Sequence, residues 1–121
     1  MTLSSTTSDH YIPERQDIVQ LNFSPSAGKE IRSWHPAVVI SRGSYSQLTG
    51  LVLVAPITHA THNRLKDSGL LIPLNLPEVD GFVNPLQLFT FDYRKRHVHK
   101  VGQLPDYLYA QVRVRVNQLF E

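Results

Sequence analysis

A chain of 121 residues, 41% hydrophobic and 18% charged, has room for one hydrophobic core but not two, which excludes both a disordered chain and a catalytic-plus-regulatory pair of domains. It contains no cysteine, so disulfides, thiolate nucleophiles and thiolate metal sites are excluded together, and a reducing compartment fits. The net charge of +2 is too small to establish nucleic-acid binding, so only its distribution can inform.

Residues 1–10 are rich in Ser and Thr, lack periodicity and have neither the basic nor the apolar region of a signal peptide. They read as a loose arm ahead of one domain over residues 11–121. In residues 17–23, Val19, Leu21 and Phe23 alternate with Gln20 and Asn22, the period of a half-buried strand. A run of turn formers over residues 24–29 ends it. Further strands are expected over 36–41, 51–57 and 70–74, where β-branched and aliphatic residues concentrate. Between the third and fourth lies a long polar segment, residues 58–69, carrying His59 and His62, and loops of that length in small domains are often functional. Residues 81–91 read as a single fifth strand, with Pro85 marking an edge or a bulge.

Basic residues concentrate over 94–100. Arg113 and Arg115 join them in one positive face if the fold brings them together; otherwise both groups are solvated surface. Residues 112–116 alternate like a strand, yet Leu108, Val112, Val116 and Leu119 fall at helical spacing. Pro105 and Asp106 suit a first helical turn, and the length of the segment favours a helix over 105–120. No apolar run can cross a bilayer, so no membrane association and a cytoplasmic location are expected. The elements describe a mainly β fold, a small SH3-like antiparallel barrel of five to seven strands closed by a C-terminal helix.

Three stretches, in this order, resemble the MazF/PemK family of toxin endoribonucleases. Gly28-Lys29-Glu30-Ile31-Arg32-Ser33-Trp34-His35-Pro36-Ala37-Val38-Val39 is similar to that family's G-x-E-x-x-x-x-R-P-A-V-V signature, with His35 standing where the family usually has arginine. Val54-Ala55-Pro56-Ile57-Thr58 resembles its V-x-P-x-T. Asp80-Gly81-Phe82-Val83-Asn84-Pro85-Leu86-Gln87, followed by Asp92-Tyr93-Arg94-Lys95-Arg96, resembles the segment from a glycine and a glutamine to a basic turn. The resemblance covers nearly all of residues 11–120. It implies the MazF/CcdB fold, a homodimer, a single-stranded RNA substrate, no cofactor, and a cognate acidic antitoxin that blocks the RNA groove.

RNA cleavage through the 2′-hydroxyl needs one group to take that proton, another to protonate the departing 5′-oxygen, and donors or positive charge around the phosphorane. The family's two catalytic positions match His35 and Thr58. An imidazole, with an ordinary pKa of about 6.5, serves as base or acid near neutrality, or His35 is a ring packed at a strand start. Thr58 is expected to donate its hydroxyl to the phosphorane, or to cap the strand end. Arg32, three residues before His35, can supply the charge of the missing arginine. Glu30 can orient His35 or shape a base pocket. His59 and His62 can hold phosphate or complete the proton transfer; their spacing also permits a metal, but without cysteine or an acidic pair no metal site is expected. Gln87 can hydrogen-bond a base or brace the barrel, Arg94 and Arg96 can bind phosphates, and Trp34 can stack an unpaired base. The competing readings are a CcdB-like poison that binds gyrase without catalysis and a barrel that binds RNA without cutting it.

Overall fold

The computed structural model describes residues 10–23, 34–59 and 68–121. In chain order these form β1 (Asp17–Asn22), β2 (Trp34–Val39), α1 (Gly43–Thr49), β3 (Leu51–Thr58), β4 (Ile72–Asn75), β5 (Asp80–Val83), β6 (Phe89–Asp92), β7 (His99–Gln103) and α2 (Asp106–Gln118). Every pairing is antiparallel, in the order β4-β5-β3-β2-β1-β7, with β6 also on β3.

The sheet curls into a half-barrel with apolar packing on both faces, which explains why neighbouring residues such as Ile18 and Val19 are both buried. One face sets Ile18, Val38, Ala55 and Ile57 against α2, β4 and β5. The other sets Val19, Leu21, Ala37 and Val54 against Tyr93, Val98 and a fringe of Phe23, Phe89 and Phe91. Each aliphatic side chain enclosed this way contributes roughly 1.5–3 kcal/mol.

The helical reading of the C-terminus holds, because Leu108, Tyr109, Val112 and Val116 are the buried residues of α2 and line up on one side. Pro105 precedes its first turn, and Asp106 in that turn accepts a hydrogen bond from the Gln16 side-chain amide at 2.7 Å.

The expected fifth strand over 81–91 is instead two. β5 pairs with the end of β3 through Ile57 and Thr58, while β6 pairs with its start through residues 51–54. A turn around Pro85 separates them, since proline has no N–H to continue a ladder. The eight residues of β3 thus receive two strands on one edge, with a break between them beside Pro56.

Two elements lie where no strand or helix was expected. α1 is short, and of its residues only Ser46 is buried, so it has no apolar stripe to betray it. It ends at Gly50, whose φ of 77° suits glycine and whose N–H closes on the Ser46 carbonyl. β7 takes up the end of the basic stretch and pairs with β1.

Candidate active site

β2 is paired with β3 through Ala37 opposite Pro56, and continuing that register by two residues sets His35 opposite Thr58. Both side chains, with Pro56, then lie on one face of the sheet, because strand side chains alternate. They line a common cleft of about 240 Å³ together with Phe23, Asn84, Gln87 and Phe89. The cleft sits at the break between β5 and β6, where the sheet edge is open.

Each wall has a local cause. Gly81, with φ of 116°, lets β5 approach β3 so closely that a Cβ there would lie 2.8 Å from the Thr58 carbonyl oxygen. The Asn84 N–H donates to the Pro56 carbonyl at 2.9 Å, and its side-chain oxygen accepts from the Leu86 N–H at 3.1 Å. This Asx turn carries exposed Gln87 to the cleft. Among the described residues the Thr58 hydroxyl makes one contact, a hydrogen bond of 3.3 Å to the adjacent His59 carbonyl, long enough to exchange for a ligand. His35 is exposed, and its ring meets the Phe23 ring edge-on at 5.2 Å. Phe23 in turn packs against Phe89 and Phe91 at 5.4 and 5.0 Å.

Phe23 itself is held by Arg96. The turn after β6 is organised by the Asp92 carboxylate, which accepts the N–H groups of Arg94 and Lys95, both at 3.1 Å. This folds the Arg96 guanidinium inward, where it donates to the Phe23 carbonyl at 2.8 Å and lies 4.5 Å over the Phe91 ring. Arg94, by contrast, is exposed at the turn.

Of the residues singled out from the sequence, the structure therefore brings His35, Thr58 and Gln87 together. Arg96 supports them from behind. His59 is exposed directly after Thr58 but does not line the cleft. Trp34 points to the opposite face from His35, where its ring lies 6.4 Å from His97 and 5.7 Å from His99. Glu30, Arg32 and His62 lie outside the described residues. Arg113 does not join the 94–96 turn but lines a separate cleft, and Arg115 donates to the Gly69 carbonyl at 3.3 Å. Phe23, Phe89 and Asn84 were missed as site residues. Asn84 sat inside a quoted motif without a role, whereas the two phenylalanines read only as strand residues.

Chemically the cleft offers an imidazole, a hydroxyl and an amide over an aromatic wall. That set can move protons and hydrogen-bond a phosphate or a base. Among the described residues, no three His, Cys, Asp or Glu side chains are grouped to hold a metal ion, and no helix is long and apolar enough to cross a membrane.

Known proteins share both the sequence pattern and this architecture. The endoribonuclease toxin ChpB of Escherichia coli K12 is 33% identical over 111 residues, covering 89% of this chain and 94% of its own. The crystal structure of MazF from Deinococcus radiodurans superimposes with a TM-score of 0.75 at 31% identity, covering 91% of this chain and 97% of its own. A chain of the MazE-MazF complex from the same organism matches with a TM-score of 0.75 at 27% identity, covering 91% and 96%. The family model of PemK-like, MazF-like toxins spans residues 14–120, nearly the whole domain, and the chain belongs to that family of type II toxin-antitoxin toxins.

Proposed function

We propose that this protein is a metal-independent endoribonuclease that cuts single-stranded RNA at the His35–Thr58 cleft and acts as the toxin of a toxin-antitoxin pair. The observation that carries this reading is the cleft that His35 and Thr58 line together, an exposed imidazole and a hydroxyl in one place. The ribose supplies the nucleophile. Its 2′-oxygen loses a proton and attacks phosphorus, the bond to the 5′-oxygen breaks, and that oxygen leaves with a proton. The products are a 2′,3′-cyclic phosphate and a 5′-hydroxyl end.

His35 acts as general base or acid, Thr58 donates to the phosphorane, and Gln87 binds a base or braces the cleft. Arg32 supplies the charge that the described lining of the cleft lacks, Glu30 orients His35 or shapes the base pocket, and His59 and His62 hold phosphate or complete the proton transfer. Trp34, on the other face, stacks a base of the strand beyond the scissile site, while Arg94 contacts phosphates. The toxin works as a cytoplasmic homodimer, and a cognate acidic antitoxin covers the RNA-binding surface; MazF of Deinococcus radiodurans, a structural relative, is found in a complex with MazE.

The test is to incubate the purified protein with long single-stranded RNA in EDTA and map any new ends. Discrete cuts with 5′-hydroxyl ends, absent with His35→Ala, are expected. Intact RNA, or cuts that survive the substitution, would overturn the assignment.

A further inference from the structure

A second cleft, of about 220 Å³, opens at the other end of β2, between the β2–α1 connection and α2. Three arginines line it. Arg15 comes from the segment before β1, Arg42 from the start of α1 and Arg113 from α2, so three separate parts of the chain deliver like charges to one place. Like charges repel, and neighbouring carboxylates would ordinarily offset the repulsion. Among the described residues no carboxylate pairs with any of the three; the one salt bridge there joins Lys100 to Asp17. The nearby acid, Glu14, offsets part of the charge but forms no ion pair: its two oxygens accept the N–H groups of Gly43 at 2.9 Å and Arg15 at 3.0 Å, so the arginines still outnumber it.

Two neutral donors complete the lining. Tyr109 makes only a long contact, 3.4 Å, to the Ile40 carbonyl, and burial pushes its phenol up from the ordinary tyrosine range, keeping the O–H as a donor. Asn117 contributes an amide, while Ile40 and Val116 give an apolar wall. This cleft is distinct from the catalytic one. Tyr109 and Val116 belong to the core on the α2 face of the sheet, whereas His35 lies on the opposite face.

We propose that this cleft binds the phosphate of a nucleotide, offered either by a free nucleoside phosphate or by a stretch of RNA beyond the scissile site. Guanidinium forks match phosphate oxygens in pairs, in a phosphodiester as in a monoester, and the dianion of a monoester also offsets the excess charge better than a single carboxylate does. The volume exceeds that of a bare phosphate, so the apolar wall faces the sugar or base that comes with it.

The test uses the full-length protein and the double variant Arg42→Gln/Arg113→Gln, with calorimetric titration of adenosine 5′-monophosphate and of an uncleavable 2′-deoxy oligonucleotide. Binding of either probe is expected, weakened at least tenfold in the variant, with the salt slope of oligonucleotide binding reduced by about 0.7. Binding of the mononucleotide identifies free nucleotide as a source, and binding of the oligonucleotide alone identifies the RNA strand. His35-dependent cutting of a short RNA should stay unchanged in the variant. The proposal fails if neither probe binds, if both bind the variant equally well, or if an acidic peptide takes the arginine-dependent site in preference to phosphate. It also fails if the variant changes only the mass of the protein in light scattering, which would make the arginines a subunit contact.

Discussion

The two ends of the β1–β2 pair are held by different forces. At the Asp17 end the contacts are polar and centre on a buried carboxylate. The Asp17 carboxylate accepts the Tyr11 hydroxyl and the Glu14 N–H and pairs with Lys100 at 3.4 Å, while the Gln16 amide donates to the Leu104 carbonyl at 2.7 Å. At the Asn22 end hydrogen bonds from Arg96 and to it hold the backbone of Asn22 and Phe23, while the Phe23 ring meets those of Phe89, Phe91 and His35 edge-on, with His35 left open to solvent. Hydrogen bonds of fixed direction make the first end rigid; edge contacts between rings tolerate small shifts, which suits a site that must admit substrate. The same fold thus separates its anchor from its chemistry by the length of one strand.

The sharpest break of this contrast is Asp17→Ala, which leaves the Tyr11 hydroxyl and the Glu14 N–H without their acceptor and should cost about 3 kcal/mol in urea unfolding, half-exposed Lys100 adding little. Cleavage per folded molecule should be unchanged. Next, His35→Ala should lower cleavage about a hundredfold, roughly 2.7 kcal/mol in the barrier, and leave the urea midpoint where it was. If it destabilises as much as Asp17→Ala, the two ends are not different in kind.

Tyr11→Phe should cost about 1.5–3 kcal/mol, since the lost partner is a carboxylate. Burial first, then the Asp17 hydrogen bond, push the Tyr11 phenol above its ordinary range. Its folded pKa exceeds its unfolded one, so this stability is present below a pH of about 10 and is lost as pH rises beyond it. Alkaline unfolding should therefore be shallower in Tyr11→Phe, and an unchanged pH profile would remove Tyr11 from the anchor.

At the aromatic end, Arg96→Ala releases the Phe23 carbonyl and should lower kcat about tenfold by letting His35 drift, with KM less affected and Arg96→Lys partly restoring the rate. A pure KM effect would mean that Arg96 serves substrate binding instead. The smallest effect is expected of Arg94→Ala, an exposed change within about 0.5 kcal/mol in stability. It should reduce the salt slope of RNA binding by about one, and no change would take Arg94 off the RNA path.

Much of this architecture was legible along the chain. Val19 and Leu21 in β1, and Leu108, Val112 and Val116 in α2, carry their periods within a few residues, so strand and helix follow from local sequence. His35 and Thr58 were legible as a pair only through resemblance. Nothing local says that two residues so far apart share a cleft; the β2–β3 register does.

What only the tertiary structure decided depends on partners distant in sequence. Residues 81–91 became two strands because both found places on one edge of β3 and Pro85 could not continue the ladder between them. α1 starts where the Glu14 carboxylate, 29 residues away, receives the Gly43 N–H, a cap that no local pattern contains. Arg96 turned inward to carbonyls of β1, and Arg113 joined Arg15 and Arg42 rather than the basic turn. Sequence by itself determined β1 to β4, α2 and the family, because periodicity and motif are local; the short α1, the split of β5 from β6, the pairing and the charge placement are not local, and folding alone assigned them.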